Sequence, residues 1–265
     1  MDLSLVIPVR NEADNIEPLL TEIRATLEGH CDYEVIYVDD GSTDNTTQRL
    51  TTMCGNFPRL RTLRHRCSYG QSAALLTGIR AARSTWVATL DGDGQNDPAD
   101  IPKLLAARDA AGQDPLLLLA GYRRKRRDSW LKRLSSRIAN SVRARLLQDN
   151  TPDTGCGLKL FARATYLALP HFDHMHRFLP ALVLSVGGRV QSIEVNHRQR
   201  ERGRSNYGVH NRLWIGIVDL FGVMWLRRRP LLISMGSDLI EFTEAEPDKS
   251  GGSIESDPIE IKAIE

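Results

Sequence analysis

The sequence predicts an α/β protein whose mostly parallel sheet carries helices on both faces. Two observations support this. Short apolar runs rich in β-branched residues alternate with segments whose apolar residues recur at helical spacing. A strand, a helix and a parallel strand in succession need a right-handed crossover, which lays the helix against the sheet. With 265 residues, 41% of them hydrophobic, the chain can bury the core that such a sheet requires.

The elements follow in chain order. Residues Leu3–Val9 (LSLVIPV) and residues 34–40 (EVIYVDD) read as strands, and between them Ile16, Leu19, Leu20, Ile23 and Leu27 mark the buried stripe of a helix. Residues 60–65 read as a strand, 71–83 as a helix, 86–91 as a strand, 101–111 as a helix and 116–120 as another buried strand. Past Arg127 the pattern changes to a basic amphipathic helix over 129–147, a polar loop (QDNTPDTGCG) over 148–157 and a strand at Arg189–Val195. The last ordered feature is residues 213–226 (LWIGIVDLFGVMWL), closed by Arg227, Arg228, Arg229 and Pro230. That run is too short to span a bilayer, which takes about 20 residues.

Composition excludes several classes. Charged residues make up 26% of the chain and no apolar run reaches the ~18 residues of a spanning helix, so an integral membrane protein is not expected. The start, MDLSLVIPVRNEADN, lacks the basic and apolar regions of a signal peptide, which points to the cytoplasm. Cys31, Cys54, Cys67 and Cys156 have neither CxxC nor zinc-site spacing and read as ordinary reduced thiols. The formal charge of +2 is unevenly spread: from Gly236 onward nine acids face Lys249 and Lys262, a net −7 that leaves +9 on residues 1–235. The acidic segment holds Pro247, Pro258 and a Ser-Gly-Gly-Ser stretch without helical period, and reads as disordered.

In parallel sheets ligands sit at the carboxyl ends of the strands, so residues 8–12, 39–44, 91–97 and 121–127 are the informative ones. In DGDGQND, Asp91 and Asp93 at spacing i, i+2 can point the same way from a strand end. Two convergent carboxylates suit a hard cation that keeps other positions for diphosphate oxygens. A turn rich in Asp and Gly is the plainer reading; an EF-hand is not, since the glycines fall at 92 and 94 and no Glu closes the loop. In VDDGSTDNT, carboxylates could accept from a nucleobase or ribose, and Asp44 could cap the following helix. In PVRNE, Pro8 ends a strand and Glu12 opens a helix, where an acid is favoured by the helix dipole.

Taken together, PxxNE, VDDGSxDxT, the GQSAALLTGIRAA helix and LDGDGQNDP closely resemble family 2 glycosyltransferases of the GT-A (Rossmann-like) fold, over residues 3–229. The likeness is greatest to the branch that moves a sugar from a nucleotide diphosphate to a polyprenyl phosphate, as dolichol-phosphate mannosyltransferase does. The resemblance implies that Pro8, Arg10, Glu12, Asp39, Asp40 and Asp91 hold the nucleotide and that Asp91, Asp93 and Gln95 hold Mg²⁺ or Mn²⁺. It implies catalytic roles for Asp93, Arg123 and Arg200. Lys132, Arg133, Arg137, Asp153 and Ser205 would serve the acceptor phosphate. Three positions depart from the family's pattern: Arg10 for the commoner Tyr, Cys156 for Ser, and Asn206 for Lys.

The resemblance further implies an inverting, metal-dependent transfer from GDP-mannose or a UDP-hexose to a polyprenyl phosphate, with a saccharide or protein acceptor as the alternative. A processive synthase is not expected, since neither Q-x-x-R-W nor multiple spans occur. Residues 123–145 carry ten Lys or Arg against Asp128; without a nucleic-acid-binding signature, that charge points to an anionic membrane surface rather than nucleic acid. The expected organisation is a catalytic domain over 1–212, an apolar and basic interfacial, juxtamembrane-type helix over 213–235 and the acidic tail over 236–265. The enzyme would act on the inner face of the membrane as a peripheral protein.

Overall fold

A computed structural model describes residues 1–123, 146, 147, 149, 151–200 and 211–229, all within a unit spanning Met1–Pro230. Most of the basic helix, with Lys132, Arg133 and Arg137, lies outside the described residues, as do Ser205 and the acidic tail.

The chain runs β1 (Leu3–Val9), α1 (Ala13–Leu27), β2 (Tyr33–Asp39), α2 (Thr46–Asn56), β3 (Leu60–Arg64), α3 (Gln71–Ala81), β4 (Trp86–Thr89), α4 (Ile101–Ala110) and β5 (Leu117–Arg123). It continues through β6 (Lys159–Ala162), α5 (Arg163–Ala168), α6 (Leu179–Ser185), β7 (Arg189–Val195) and α7 (Asn211–Arg227), with short 3₁₀ turns at Pro98–Asp100 and Met175–Arg177. The seven strands form one sheet in the order β3-β2-β1-β4-β6-β5-β7. All pairings are parallel except those of β6, which runs antiparallel between β4 and β5.

Alternate residues of the central strands feed two cores. Leu5, Ile7, Val35 and Tyr37 face one side, where Ile16, Leu20, Ile23 and Leu27 of α1 cover them; Val6, Ile36 and Val38 face the other, under Ala74 and Ile79 of α3. Each aliphatic side chain so buried contributes about 1.5–3 kcal/mol. Helix α3 sits close because Gly78 has no side chain: a Cβ there would lie 2.4 Å from Val6 Cγ1.

The two layers bear out the expected α/β sheet, with differences in detail. Residues 159–162 form a strand that periodicity does not reveal, since a four-residue antiparallel insert has too few alternations to register. Helix α2 buries only Thr46 and Leu50, too thin a stripe to announce a helix. Asp44 Oδ1 does accept from the Thr46 backbone N–H (2.9 Å) at its start. Strand β5 runs on to Arg123 rather than stopping at Ala120, because β7 pairs with it to the end, Arg123 opposite Val195. Strand β4 ends at Thr89, which frees residues 90–97 to form a loop.

Candidate active site

The carboxyl ends of β1, β4 and β5 meet the start of β6, where Thr89 pairs with Lys159. Antiparallel β6 thus brings its first residue to the end of the sheet where the parallel strands finish. A cleft of about 540 Å³ opens there.

One wall is the loop after β1. Asn11 adopts the left-handed region (φ 57°), and its backbone N–H donates to Ser42 Oγ (2.9 Å) while its Oδ1 accepts from the Thr43 N–H (2.8 Å). The Glu12 N–H donates to Thr46 Oγ1 (2.9 Å). The loops after β1 and β2 are therefore stitched together. Asp39 belongs to this stitching: it is buried, accepts from the Ser42 N–H and the Thr47 hydroxyl, and does not line the cleft. Asp40 does line the cleft and organises the loop before α3. Its Oδ1 accepts from His65 Nδ1 and the Tyr69 N–H, and its Oδ2 from Ser68 Oγ and the Gly70 N–H, all within 2.9 Å. Burial opposes its charge, and these four donors overcome burial to hold its pKa below the usual carboxylate range.

That loop delivers Gln71, whose Nε2 donates to Asp91 Oδ1 (2.9 Å). Asp91, Asp93 and Gln95 all line the cleft, and the Gln95 N–H donates to Asp93 Oδ1 (3.1 Å). Burial, and next the charge of Asp93, push the Asp91 pKa up to about 6, against the pull of Lys159, Arg123 and Gln71. Gly157 is pressed on this carboxylate: a Cβ there would stand 2.2 Å from Asp91 Oδ2. The carboxylate pair, with the raised proton affinity of Asp91 and the close-fitting backbone at Gly157, fits a divalent cation bound through hard oxygens. Among the described residues no cluster of three or more His, Cys, Asp or Glu could hold a metal ion. A cation here would therefore share its coordination with a ligand's oxygens or water.

Two arginines complete the site. Arg123, at the end of β5, is clamped by Asp153, with Nε to Oδ2 at 2.6 Å and Nη2 to Oδ1 at 3.0 Å. Burial works against the guanidinium charge, and the two-pronged carboxylate more than offsets it, raising the Arg123 pKa. Residues 196–200 run back over the loop after β4: the Asn196 N–H donates to Asp100 (2.6 Å), the Arg198 N–H to the Gln95 carbonyl (3.0 Å), and Arg200 Nη2 to Glu12 Oε1 (2.5 Å). Burial raises the Glu12 pKa, with Asn15 and Arg200 opposing.

Residues 4–167 match the family described as Glycosyl transferase family 2. The chain belongs to that family. Two curated relatives extend the match. This family 2 glycosyltransferase is 36% identical over 233 residues to the dodecaprenyl-phosphate galacturonate synthase of Rhizobium johnstonii, covering 86% of this chain and 68% of that protein. It is 34% identical over 213 residues to the undecaprenyl-phosphate 4-deoxy-4-formamido-L-arabinose transferase of Edwardsiella ictaluri, covering 78% and 63%; the chain thus spans less than two thirds of the latter's length. Its GT-A fold is shared with glucosyl-3-phosphoglycerate synthase of Mycobacterium tuberculosis, solved with Mn²⁺, UDP and glucosyl-3-phosphoglycerate (TM-score 0.61, 19% identity, 85% of this chain and 79% of that one). It is shared too with S. aureus TarS 1-349 in complex with UDP-GlcNAc (TM-score 0.59, 18% identity, 85% and 67%).

Of the residues singled out from the sequence, Pro8, Arg10, Glu12, Asp40, Asp91, Asp93, Gln95, Arg123 and Arg200 of this glycosyltransferase line one cleft, although Pro8 and Arg200 are 192 residues apart. Asp153 stands behind Arg123 instead of in the lining, and Asp39, at the end of β2, holds the neighbouring loop. Sequence reasoning missed Lys159, which is buried yet lines the cleft and donates to the Cys156 and Thr154 carbonyls. A lysine inside the apolar run LKLFA was the available signal. Gln71, although it lies in the GQSAALLTGIRAA stretch, and His176 were not singled out, and nothing in the local sequence marks His176.

Proposed function

We propose that this glycosyltransferase moves a sugar from a nucleotide diphosphate sugar to a polyprenyl phosphate, with inversion and with a divalent cation. The observation that carries this reading is the convergence of the Asp91–Asp93 pair with Arg123 and Arg200 in one cleft, in a chain whose curated relatives are named for transfer to dodecaprenyl and undecaprenyl phosphate. The UDP and Mn²⁺ held by glucosyl-3-phosphoglycerate synthase support a nucleotide sugar and a metal.

Asp91 and Asp93 would hold Mg²⁺ or Mn²⁺, with Gln95 beside them. Bound there, the cation supplies Lewis-acid stabilisation to a leaving diphosphate. The chain's own groups do the rest. Pro8, Arg10 and Glu12 form the wall for the nucleoside. Asp153 fixes the fork of Arg123 and Glu12 fixes Arg200, so both guanidinium groups stand in place before charge develops on the diphosphate. The acceptor phosphate, with a second pKa near ~6, is already anionic at neutral pH and needs cations around it rather than a strong base.

The acceptor's lipid chain calls for a membrane surface. Helix α7 buries Val223 and exposes Val218 (67%), Phe221 (63%) and Trp225 (57%), with the Arg229 guanidinium 5.5 Å above the Trp225 ring. Among the described residues no helix is long and apolar enough to cross a membrane. An apolar face bordered by Arg227, Arg228 and Arg229 suits peripheral contact with anionic headgroups, which on this reading belong to the inner face of the membrane.

Asp93→Ala tests the assignment. It is expected to lower metal-dependent sugar transfer at least 100-fold and to weaken Mn²⁺ binding, followed by electron paramagnetic resonance with UDP or GDP present. Unchanged transfer and Mn²⁺ binding would remove Asp93 from the metal site.

A further inference from the structure

Beyond Asp91 the cleft is lined by His176, on the 3₁₀ turn before α6, and by side chains of the second core such as Leu75 and Leu179. His176 plays no part in the reading above. Its Nδ1 lies 2.7 Å from Ser72 Oγ, at the start of α3, and its backbone N–H lies 3.5 Å from the same oxygen. The backbone N–H can only donate, so the Ser72 oxygen accepts it. The hydroxyl hydrogen then has Nδ1 as its acceptor, since no other acceptor among the described residues is hydrogen-bonded to it. That assigns the ring proton to Nε2. Burial, and next the charges of Lys159, Arg177 and His174, hold the imidazole pKa well below its ordinary value, so the ring is neutral at physiological pH. The result is an uncharged N–H donor with a fixed tautomer in the wall of the cleft.

The imidazole is tied to the carboxylate pair through its partner: Ser72 follows Gln71, whose Nε2 donates to Asp91 Oδ1, and His176 and Asp91 line the same cleft. With the nucleoside assigned to Arg10 and Glu12 and the diphosphate to Asp91 and Asp93, the wall that carries His176 is assigned to the donor's sugar. The phosphates are matched by permanent cations, Arg123 and Arg200. A neutral donor suits a neutral oxygen instead, and a pyranose supplies several. Since Nδ1 is occupied by Ser72 and Nε2 carries the proton, the ring is no general base.

We propose that Ser72 and His176 form a sugar-reading pair: Ser72 fixes the imidazole, and its Nε2–H donates to a hydroxyl or ring-substituent oxygen of the transferred sugar. This rests on the donor reading given under the proposed function. His176 contacts substrate directly, and Ser72 acts as a positioning residue.

The test separates the sugar from its nucleotide. Dissociation constants are measured by calorimetry with Mg²⁺ for UDP and GDP, and for UDP-glucose, UDP-galacturonate and GDP-mannose, on the wild-type chain and the His176→Ala, His176→Gln and Ser72→Ala variants. His176→Ala should leave the free nucleotide within twofold and weaken the sugar nucleotide about fivefold to tenfold, the range of one neutral hydrogen bond. His176→Gln, which keeps an N–H donor, should recover part of the loss, and Ser72→Ala should show a smaller one. Equal weakening of nucleotide and sugar nucleotide would mean that His176 only shapes the wall, and unchanged affinity for both would mean that it touches neither; either overturns the proposal. A rise in KM for undecaprenyl phosphate with donor affinity unchanged would assign the imidazole to the acceptor and overturn it too. If the wild-type chain binds no nucleotide and no sugar nucleotide, the donor reading itself fails, a result distinct from these.

Discussion

Asp91 carries a burden that the apo protein feels. Its carboxyl is desolvated beside Asp93 and titrates near 6, above the ordinary 3.8. A carboxyl with a raised pKa in the folded state favours folding while it is protonated, and that advantage is lost as pH rises from about 4 through about 6. Without divalent cation, Asp91→Asn, which keeps an acceptor for Gln71, should therefore stabilise the protein by about 3 kcal/mol at pH 7.5 and by little at pH 4. Urea denaturation at the two pH values in EDTA checks this; a stabilisation that does not depend on pH would mean that Asp91 is not desolvated in the apo protein. Asp153 bears on the same site from behind. Asp153→Ala strands the buried Arg123 guanidinium, a loss of about 3 kcal/mol of stability. It should also lower kcat/KM about 100-fold through loss of position, and Asp153→Glu should not restore the two-pronged geometry. Steady-state kinetics on folded material decides it.

At the scale of elements, the loop between β3 and α3 ties the end of β2 to the carboxylate pair. Asp40 holds residues 65–70 from within, and the loop hands Gln71 to Asp91. Asp40→Ala should strip hydrogen-exchange protection from the Tyr69 and Gly70 amides while α1 and β2 remain protected; protection kept at both amides would show that the loop holds without its carboxylate. Helix α7 is the element proposed to meet the membrane surface. Replacing Val218, Phe221 and Trp225 together by Ser should weaken binding to phosphatidylglycerol vesicles at least tenfold in a flotation assay and leave the circular-dichroism melting temperature within a few degrees, because all three are exposed. Vesicle binding that survives this change would move the membrane contact elsewhere. These elements also show what local sequence conveys. The helical spacing of Ile16 to Leu27 and the dense apolar runs of β1 and β2 signal their own structure, because each buries a full stripe or both faces. Strand β6 does not, being four residues long and holding a lysine whose burial depends on carbonyls several residues away. His176 is illegible for the same reason: its partner Ser72 lies 104 residues off.

For the whole molecule, the sheet decides where chemistry can happen. Parallel β1, β4 and β5 end on one side, and inserting β6 antiparallel brings Lys159 and Gly157 to that side as well. Arg200 reaches the cleft only because residues 196–200 fold back over the loop after β4. The motif residues could therefore be named from the sequence, while the partnerships that orient them, Asp153 with Arg123 and Glu12 with Arg200, required the fold. The proposed reaction is a metal-dependent transfer from a nucleotide sugar to a lipid phosphate. It is tested most directly by following radiolabelled sugar from a panel of UDP- and GDP-sugars into undecaprenyl phosphate, with Mg²⁺ or Mn²⁺ and with EDTA. Label in the lipid phase, abolished by EDTA and restored by excess Mg²⁺, is the predicted result. Label confined to a water-soluble product, or lipid transfer indifferent to EDTA, would contradict it.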